Sequence, residues 1–200
     1  MDLAFHHYQQ KIKEKLETFS PIDLVGLDRV QMLNRVDTKF VFHINQFNDI
    51  LDEIRENYHV LEIDGKRMFD YESIYFDTEE FDLYKFHHNG KLNRLKIRFR
   101  KYLDSNLCYF EVKYKIKGTR TDKKRIRTED YKSELSEQEM ALVHHNYLDM
   151  TNLKEKMVIC FTRITLANKN FKERLTIDLK VTFDNFKDKK VFNELVIAEI

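Results

Sequence analysis

Arg94-Leu95-Lys96-Ile97-Arg98-Phe99-Arg100-Lys101-Tyr102 is the stretch on which the fold turns. In an extended strand successive side chains alternate faces, so Lys96, Arg98 and Arg100 share one side and Leu95, Ile97 and Phe99 the other. Same-face neighbours stand roughly 7 Å apart. At an effective dielectric of about 20, each adjacent like-charge pair costs roughly 2 kcal/mol, and in water well under 1 kcal/mol. A row of cations turned to solvent is therefore nearly free. Turned inward, it would remove several kcal/mol from a folding stability of about 5–15 kcal/mol, and only nearby acids or a bound polyanion would offset it. The alternation alone permits both directions.

The neighbouring segments repeat the pattern. Residues 107–116 set Glu111, Lys113 and Lys115 against Phe110, Val112, Tyr114 and Ile116, and Lys123, Arg125 and Arg127 alternate in the same way. Upstream, residues 34–44 place Arg35, Asp37 and Lys39 on one face, with Val36, Phe40 and Phe42 largely on the other. Downstream, residues 171–183 set Arg174, Thr176, Asp178 and Lys180 against Leu175, Ile177, Leu179 and Val181. Arg163 lies in an apolar strand over 157–166, and Glu199 among Val196, Ile197, Ala198 and Ile200 in a last strand over 192–200. Turn signals punctuate these runs. Asp64-Gly65 predicts a hairpin joining 60–63 to 67–77, and Asn89-Gly90 and Asp104-Ser105-Asn106 mark further turns.

Helices supply the other half of the argument. Residues 2–18 form an amphipathic helix, Ser20-Pro21 opens a short second one, and Asn45 caps a third running to about residue 58. Ser136-Glu137-Gln138-Glu139 is a capping box for a helix over about 137–147. An antiparallel sheet with one wet face gives the same alternation strand by strand. If the helical stripes instead cover the apolar outside of a closed sheet, the charged faces line its inside, which a barrel tolerates when its lumen charges are mixed or hold a ligand.

Two hundred residues suit one domain, and 42% hydrophobic with 13% aromatic residues excludes a disordered chain. The formal net charge of +1 gives no global field for nucleic acid or membrane, so any anion site depends on local sorting. Lys and Arg do cluster over 91–127, while acids are denser over 46–82. The sequence shows no basic-aromatic platform for nucleic acid. Cys108 and Cys160 are too few for a disulfide framework or a zinc set and read as core residues. No signal pattern and no span-length apolar run is present, which predicts a protein of the reducing cytoplasm.

Seven ordered motifs carry a resemblance. Arg35-x-Asp37-x-Lys39, Ile74-Tyr75-Phe76-Asp77-Thr78 and Lys96-Ile97-Arg98-Phe99-Arg100-Lys101-Tyr102 come first. Phe110-Glu111-Val112-Lys113, Lys123-x-Arg125, Arg163 and Arg174-Leu175-Thr176-Ile177-Asp178 follow. As a set they are similar to the VTC domain, the vacuolar transporter chaperone polyphosphate polymerase domain of the triphosphate tunnel metalloenzyme (CYTH-like) superfamily. The match covers about residues 28–200 and leaves 1–27 as an N-terminal helical extension.

The resemblance implies an α+β fold: an antiparallel, eight-stranded, tunnel-like β-barrel with a basic lumen and flanking helices. It implies phosphate binding by Lys39, Arg98, Arg100 and Lys113, and by Lys123, Arg125, Arg163 and Arg174. Lys96, Glu111, Lys115 and Asp178 would be lumen neighbours, and Glu199 a ligand of Mn or Mg. The implied activity is transfer of the γ-phosphate of ATP to a growing polyphosphate chain. The implied ligands are ATP, polyphosphate or triphosphate, with no nucleic acid. The implied setting is cytoplasmic, peripheral to a membrane complex with a membrane-protein partner.

Two departures bear on this. Many tunnel enzymes carry Glu-x-Glu-x-Lys on the first strand; Arg35 and the shorter Asp37 fit the polymerase-like branch instead. The family's late strand continues past its glutamate to a phosphate-binding lysine, whereas this sequence stops at Ile200, so a truncated late strand is expected. Two alternatives stay open: a triphosphate hydrolase, which needs a carboxylate to position water, and a non-catalytic polyphosphate- or nucleotide-binding module of a membrane-associated assembly.

Overall fold

The computed structural model describes residues 3–30, 38–115, 121–143 and 152–200. The expectations on Arg35, Val36, Asp37 and Ile116, and on the helix beyond Val143, lie outside the described residues. In chain order the elements are α1 (Leu3–Glu17), β1 (Pro21–Ile22), α2 (Leu24–Leu27), β2 (Lys39–His43), α3 (Phe47–Ile54), β3 (Tyr58–Leu61), β4 (Phe69–Asp77) and α4 (Asp82–His88). Then come β5 (Arg94–Tyr102), β6 (Leu107–Lys115), β7 (Thr121–Thr128), α5 (Glu137–Val143), β8 (Lys154–Asn168), β9 (Arg174–Asp184), β10 (Lys189–Phe192) and β11 (Leu195–Glu199). The expectation of a mostly antiparallel α+β fold holds.

The chain divides into two compact units. The first comprises Met1–Asp70, Phe161–Val181 and Val191–Ile200. Its strands run in the order β2-β11-β9-β8, with β3 antiparallel to β8 and β1 parallel to β3. One sheet face is apolar: Ile164, Leu166, Leu175, Ile177, Leu179, Val196 and Ala198 pack with Ile12 and Leu16 of α1 and Phe47 and Leu51 of α3. The second unit comprises Tyr71–Cys160 and Thr182–Lys190 and carries β4-β5-β6-β7, each antiparallel to the next. Its apolar face holds Ile74, Phe76, Leu95, Ile97, Phe99, Phe110 and Val112, packed with Leu83 of α4 and Val143 of α5. Burying each such side chain contributes about 1.5–3 kcal/mol, which is why both sheets take the helices on this side.

Several local expectations change. Among the described residues the sheet is not closed into a barrel: β2 pairs on one edge with β11, and β7 on one edge with β6. Among the described residues there are eleven strands rather than eight, because short strands such as β1 and β10 join the sheet beside the expected ones. Asp64 and Gly65, at φ 49° and 73°, do make a tight turn closed by the Ile63–Lys66 bridge. The expected hairpin does not follow, because both edges of β3 are already taken by β1 and β8. Ser20-Pro21 opens no helix. Pro21, which lacks an N–H, sits at the edge in β1, where the flanking carbonyls of Ser20 and Ile22 accept from Val60 and Glu62 at 3.0 and 2.9 Å. α2 starts three residues later under Asp23, whose Oδ1 accepts from the Gly26 N–H at 2.7 Å. Asn45 caps no helix: His43 caps the 3₁₀ turn Ile44–Gln46, its Nδ1 accepting from the Asn45 N–H at 3.2 Å, and Gln46 stands at the N-terminus of α3. The capping box does form: the Ser136 N–H donates to Glu139 at 2.7 Å and the Glu139 N–H to Ser136 at 3.4 Å.

Candidate functional site

Register sorts the charges of the second unit. Residues directly opposite on paired strands point to the same side, so three rows cross β4 to β7. Ser73, Arg100, Tyr109 and Arg127 form one; Tyr75, Arg98, Glu111 and Arg125 the next; Lys96, Lys113 and Lys123 the third. Among the described residues these three rows set seven cations and the carboxylate of Glu111 on one face, and the hydrophobic core lies on the other. Lys115 extends the face opposite Arg94 at the far end of β5.

Glu111 is the hub. It is 2% exposed, and Arg98 donates to its Oε2 through Nε at 2.9 Å and Nη2 at 2.6 Å, while Lys123 Nζ lies 2.6 Å from Oε1. Arg98, 20% exposed, also donates through Nη1 to the Tyr75 hydroxyl at 2.9 Å, and Arg100 donates through Nε to Ser73 Oγ at 3.2 Å. Burial pushes the Glu111 carboxyl up, but the charges of Arg98 and Lys123 overcome it and hold the group at about 2 against an ordinary 4.5. The opposite sense holds at Lys123. Burial depresses its ammonium, Arg98 and Arg100 push the same way, and the pairing with Glu111 recovers only part. The Lys123 ammonium is thus disfavoured by burial first and by its cationic neighbours second.

Guanidinium groups also stack on rings along this face. Arg98 lies over Tyr75 at 5.7 Å, Arg100 over Tyr71 at 5.6 Å and Arg125 over Tyr109 at 4.9 Å. The sequence reading missed these tyrosines. Their signal was there, since Tyr102 has the same parity as Lys96, Arg98 and Arg100, but the partners from β4 and β6 need the register.

The remaining expected residues lie in the first unit. Lys39 and Glu199 are cross-strand partners on β2 and β11 and form an ion pair. Arg163 forks onto Asp178, Nε to Oδ1 at 2.6 Å and Nη2 to Oδ2 at 2.7 Å, and stacks over Phe161 at 4.9 Å. Asp178 is opposite Ile197, two residues before Glu199, so Lys39, Asp178 and Glu199 share the polar face of that sheet. Arg174 donates through Nη2 to the Leu27 carbonyl at 3.3 Å.

Among the described residues no three His, Cys, Asp or Glu side chains converge as a metal cage. Glu199 is held by Lys39, Asp178 by Arg163, and Glu111 by Arg98 and Lys123. Each of these carboxylates taken singly offers a hard divalent cation one protein ligand, the remainder being water or other oxygens.

The family model of the VTC domain matches residues 34–196. Comparison with curated proteins gives no match. Among solved structures, a candidate adenylate cyclase from Vibrio parahaemolyticus is similar at 9% identity and TM-score 0.46, over 84% of this chain and 76% of its own. The PH1819 protein of Pyrococcus horikoshii OT3 is similar at 15% identity and TM-score 0.42, over 82% and 77%. The candidate adenylyl cyclase HpAC1 from Hippeastrum, described as having a dominant triphosphatase activity, is similar at 11% identity and TM-score 0.40, over 82% and 78%.

Proposed function

This chain belongs to the VTC domain family, and from that premise we propose that it binds polyphosphate and nucleoside triphosphate on its cationic sheet face and transfers the γ-phosphate of ATP to a growing polyphosphate chain. The observation that carries this reading is the β4–β7 face, where three register rows gather seven cations around Glu111 among the described residues. A polyanion would lie along these rows. An arginine fork takes two phosphate oxygens at once, so Arg98 and Arg100 would fix orientation, while Lys96, Lys113 and Lys123 add point charges.

Phosphoryl transfer depends on positioning and charge neutralisation more than on covalent help from the protein. The attacking group in chain growth is itself an anionic phosphate oxygen, so no general base is required. The cationic face would bring the two phosphate ends together against their mutual repulsion and stabilise the charge that shifts to the leaving diphosphate. Glu199, on β11 of the first unit, would give a Mg or Mn ion one carboxylate ligand, and such an ion keeps several waters and neutralises phosphate charge when bound. Hydrolysis is less well supported, because Arg35 stands where many tunnel enzymes carry the first glutamate of Glu-x-Glu-x-Lys.

Incubation with ATP and Mn, followed by resolution of long-chain polyphosphate, free phosphate and ADP, tests the proposal. Polymer with stoichiometric ADP is expected. Free phosphate without polymer would establish hydrolysis instead, and binding without turnover a binding module. On the same reading the domain works in the cytoplasm beside a membrane-protein partner; among the described residues no helix is long and apolar enough to cross a membrane. Retention of the native protein in salt-washed membranes would support that setting, and its complete release would count against it.

A further inference from the structure

Following β5 along its polar face, the side chains change character: Lys96, Arg98 and Arg100 give way to Tyr102. At about 3.3 Å per residue, this row spans about 20 Å, room for an extended nucleoside triphosphate. At the tyrosine end, Tyr71 of β4 is the register partner of Tyr102, and their rings lie 5.0 Å apart at 57°. Tyr109 of β6 meets Tyr102 edge-on at 5.9 Å and 79°. All three are half-buried, and Arg100 and Arg125 lie over Tyr71 and Tyr109.

The side of the sheet matters. A tyrosine serving the core belongs on the face of Ile97, Phe99 and Phe110, and none of these three is there. Three aromatic rings thus stand among cations, on the face where phosphate would bind. Inorganic polyphosphate has no part that profits from such a surface. A ligand with phosphates at one end and a flat aromatic ring at the other does, because ring faces stack on bases of any sequence and arginine adds a cation–π contribution.

We infer that Tyr71, Tyr102 and Tyr109 form a nucleobase subsite that distinguishes a nucleoside triphosphate donor from inorganic polyphosphate. The triphosphate lies on Arg98 and Arg100, and the base rests at the C-terminal end of β5. This inference depends on the phosphate-binding reading of the same face, so the test separates the two.

Calorimetric titration of the wild-type chain with ATP and with ribose 5-triphosphate, which lacks the base, is the experiment. The expected result is about tenfold tighter binding of ATP, the size of one base–aromatic stack. Tyr109→Leu should erase that difference and leave ribose 5-triphosphate affinity unchanged. Equal wild-type affinities for the two ligands overturn the subsite while leaving the phosphate reading intact. Failure of wild type to bind either ligand overturns both. Should Tyr109→Leu weaken both ligands equally, the ring shapes the face instead of receiving a base, and the subsite falls. The wild-type comparison decides even where the variant folds poorly.

Discussion

Glu111 is a buried acid whose two cationic partners come from different strands, Arg98 from β5 and Lys123 from β7. Glu111→Gln leaves both cations without their counter-charge, and removing one member of such a group typically costs about 3 kcal/mol; urea unfolding should show a loss of that order. Its pH dependence has a defined sign. The folded carboxyl titrates at about 2 and the ordinary value is 4.5, so its stabilisation is complete above about pH 4.5 and lost as pH falls towards 2, where the native state also takes up the proton. In Glu111→Gln that segment of the stability profile should flatten; profiles that superimpose between pH 4.5 and 2 would remove Glu111 from this role. Arg98 makes a second residue-scale case. Arg98→Ala with Arg100→Ala removes both forks, and titration of the variant, its circular dichroism spectrum matching wild type, should show triphosphate binding lost. Unchanged affinity would mean that phosphate binds elsewhere.

At the scale of the element, β5 shows what a single sequence discloses. The alternation of Leu95, Ile97 and Phe99 against Lys96, Arg98 and Arg100 is local, and the structure sorts them as the pattern requires, with Leu95, Ile97 and Phe99 buried under α4 and α5. The capping box at Ser136 is likewise decided within four residues. Apart from the Asn45 cap, what failed depended on partners distant in sequence. The Asp64-Gly65 turn was legible but the partner of β3 was not, because β8 lies about a hundred residues away. Pro21 was read through its helix preference, whereas pairing with Val60 and Leu61 decided its conformation. Glu111 was recognised as a neighbour of the cations, but its place as their shared partner needed the β5–β6–β7 register. The repulsion along this face also has an observable consequence. Triphosphate at a hundredfold excess over its Kd should stabilise the fold by about 2.7 kcal/mol, a rise of about 5–10 °C for a chain of this length. The shift should shrink as KCl is raised, since screening weakens both the repulsion and its relief. An unmoved melting curve at saturating ligand would contradict triphosphate binding on this face.

At the scale of the whole molecule, the two units share two strands: β8 runs from Lys154 in the second into the first, and β9 leaves the first to end at Asp184 in the second. Neither unit is a continuous piece of chain. The sequence offered no sign of this division, because β8 and β9 read as uninterrupted apolar-alternating runs. Cooperative unfolding is expected to follow. Phe99→Ala in one core and Leu166→Ala in the other should each cost about 2–5 kcal/mol, and each should shift a single urea transition seen by both tyrosine fluorescence and far-ultraviolet circular dichroism. Two separated transitions in either variant would show that the shared strands do not couple the units.

The carboxylate of Glu111 has one more consequence. A face that already holds its own anion sets a threshold of valency for whatever binds there. A lone phosphate must compete with Glu111 for Arg98 and gains little by the exchange. A longer chain also reaches Arg100, Lys96 and Lys113, and these further contacts offset the displacement of Glu111 from Arg98. Affinity should therefore climb more steeply than in proportion from phosphate to diphosphate to triphosphate, and Glu111→Gln should flatten that climb by admitting the shortest anion. By this device a small sheet can ignore the abundant monomer and respond to its polymers.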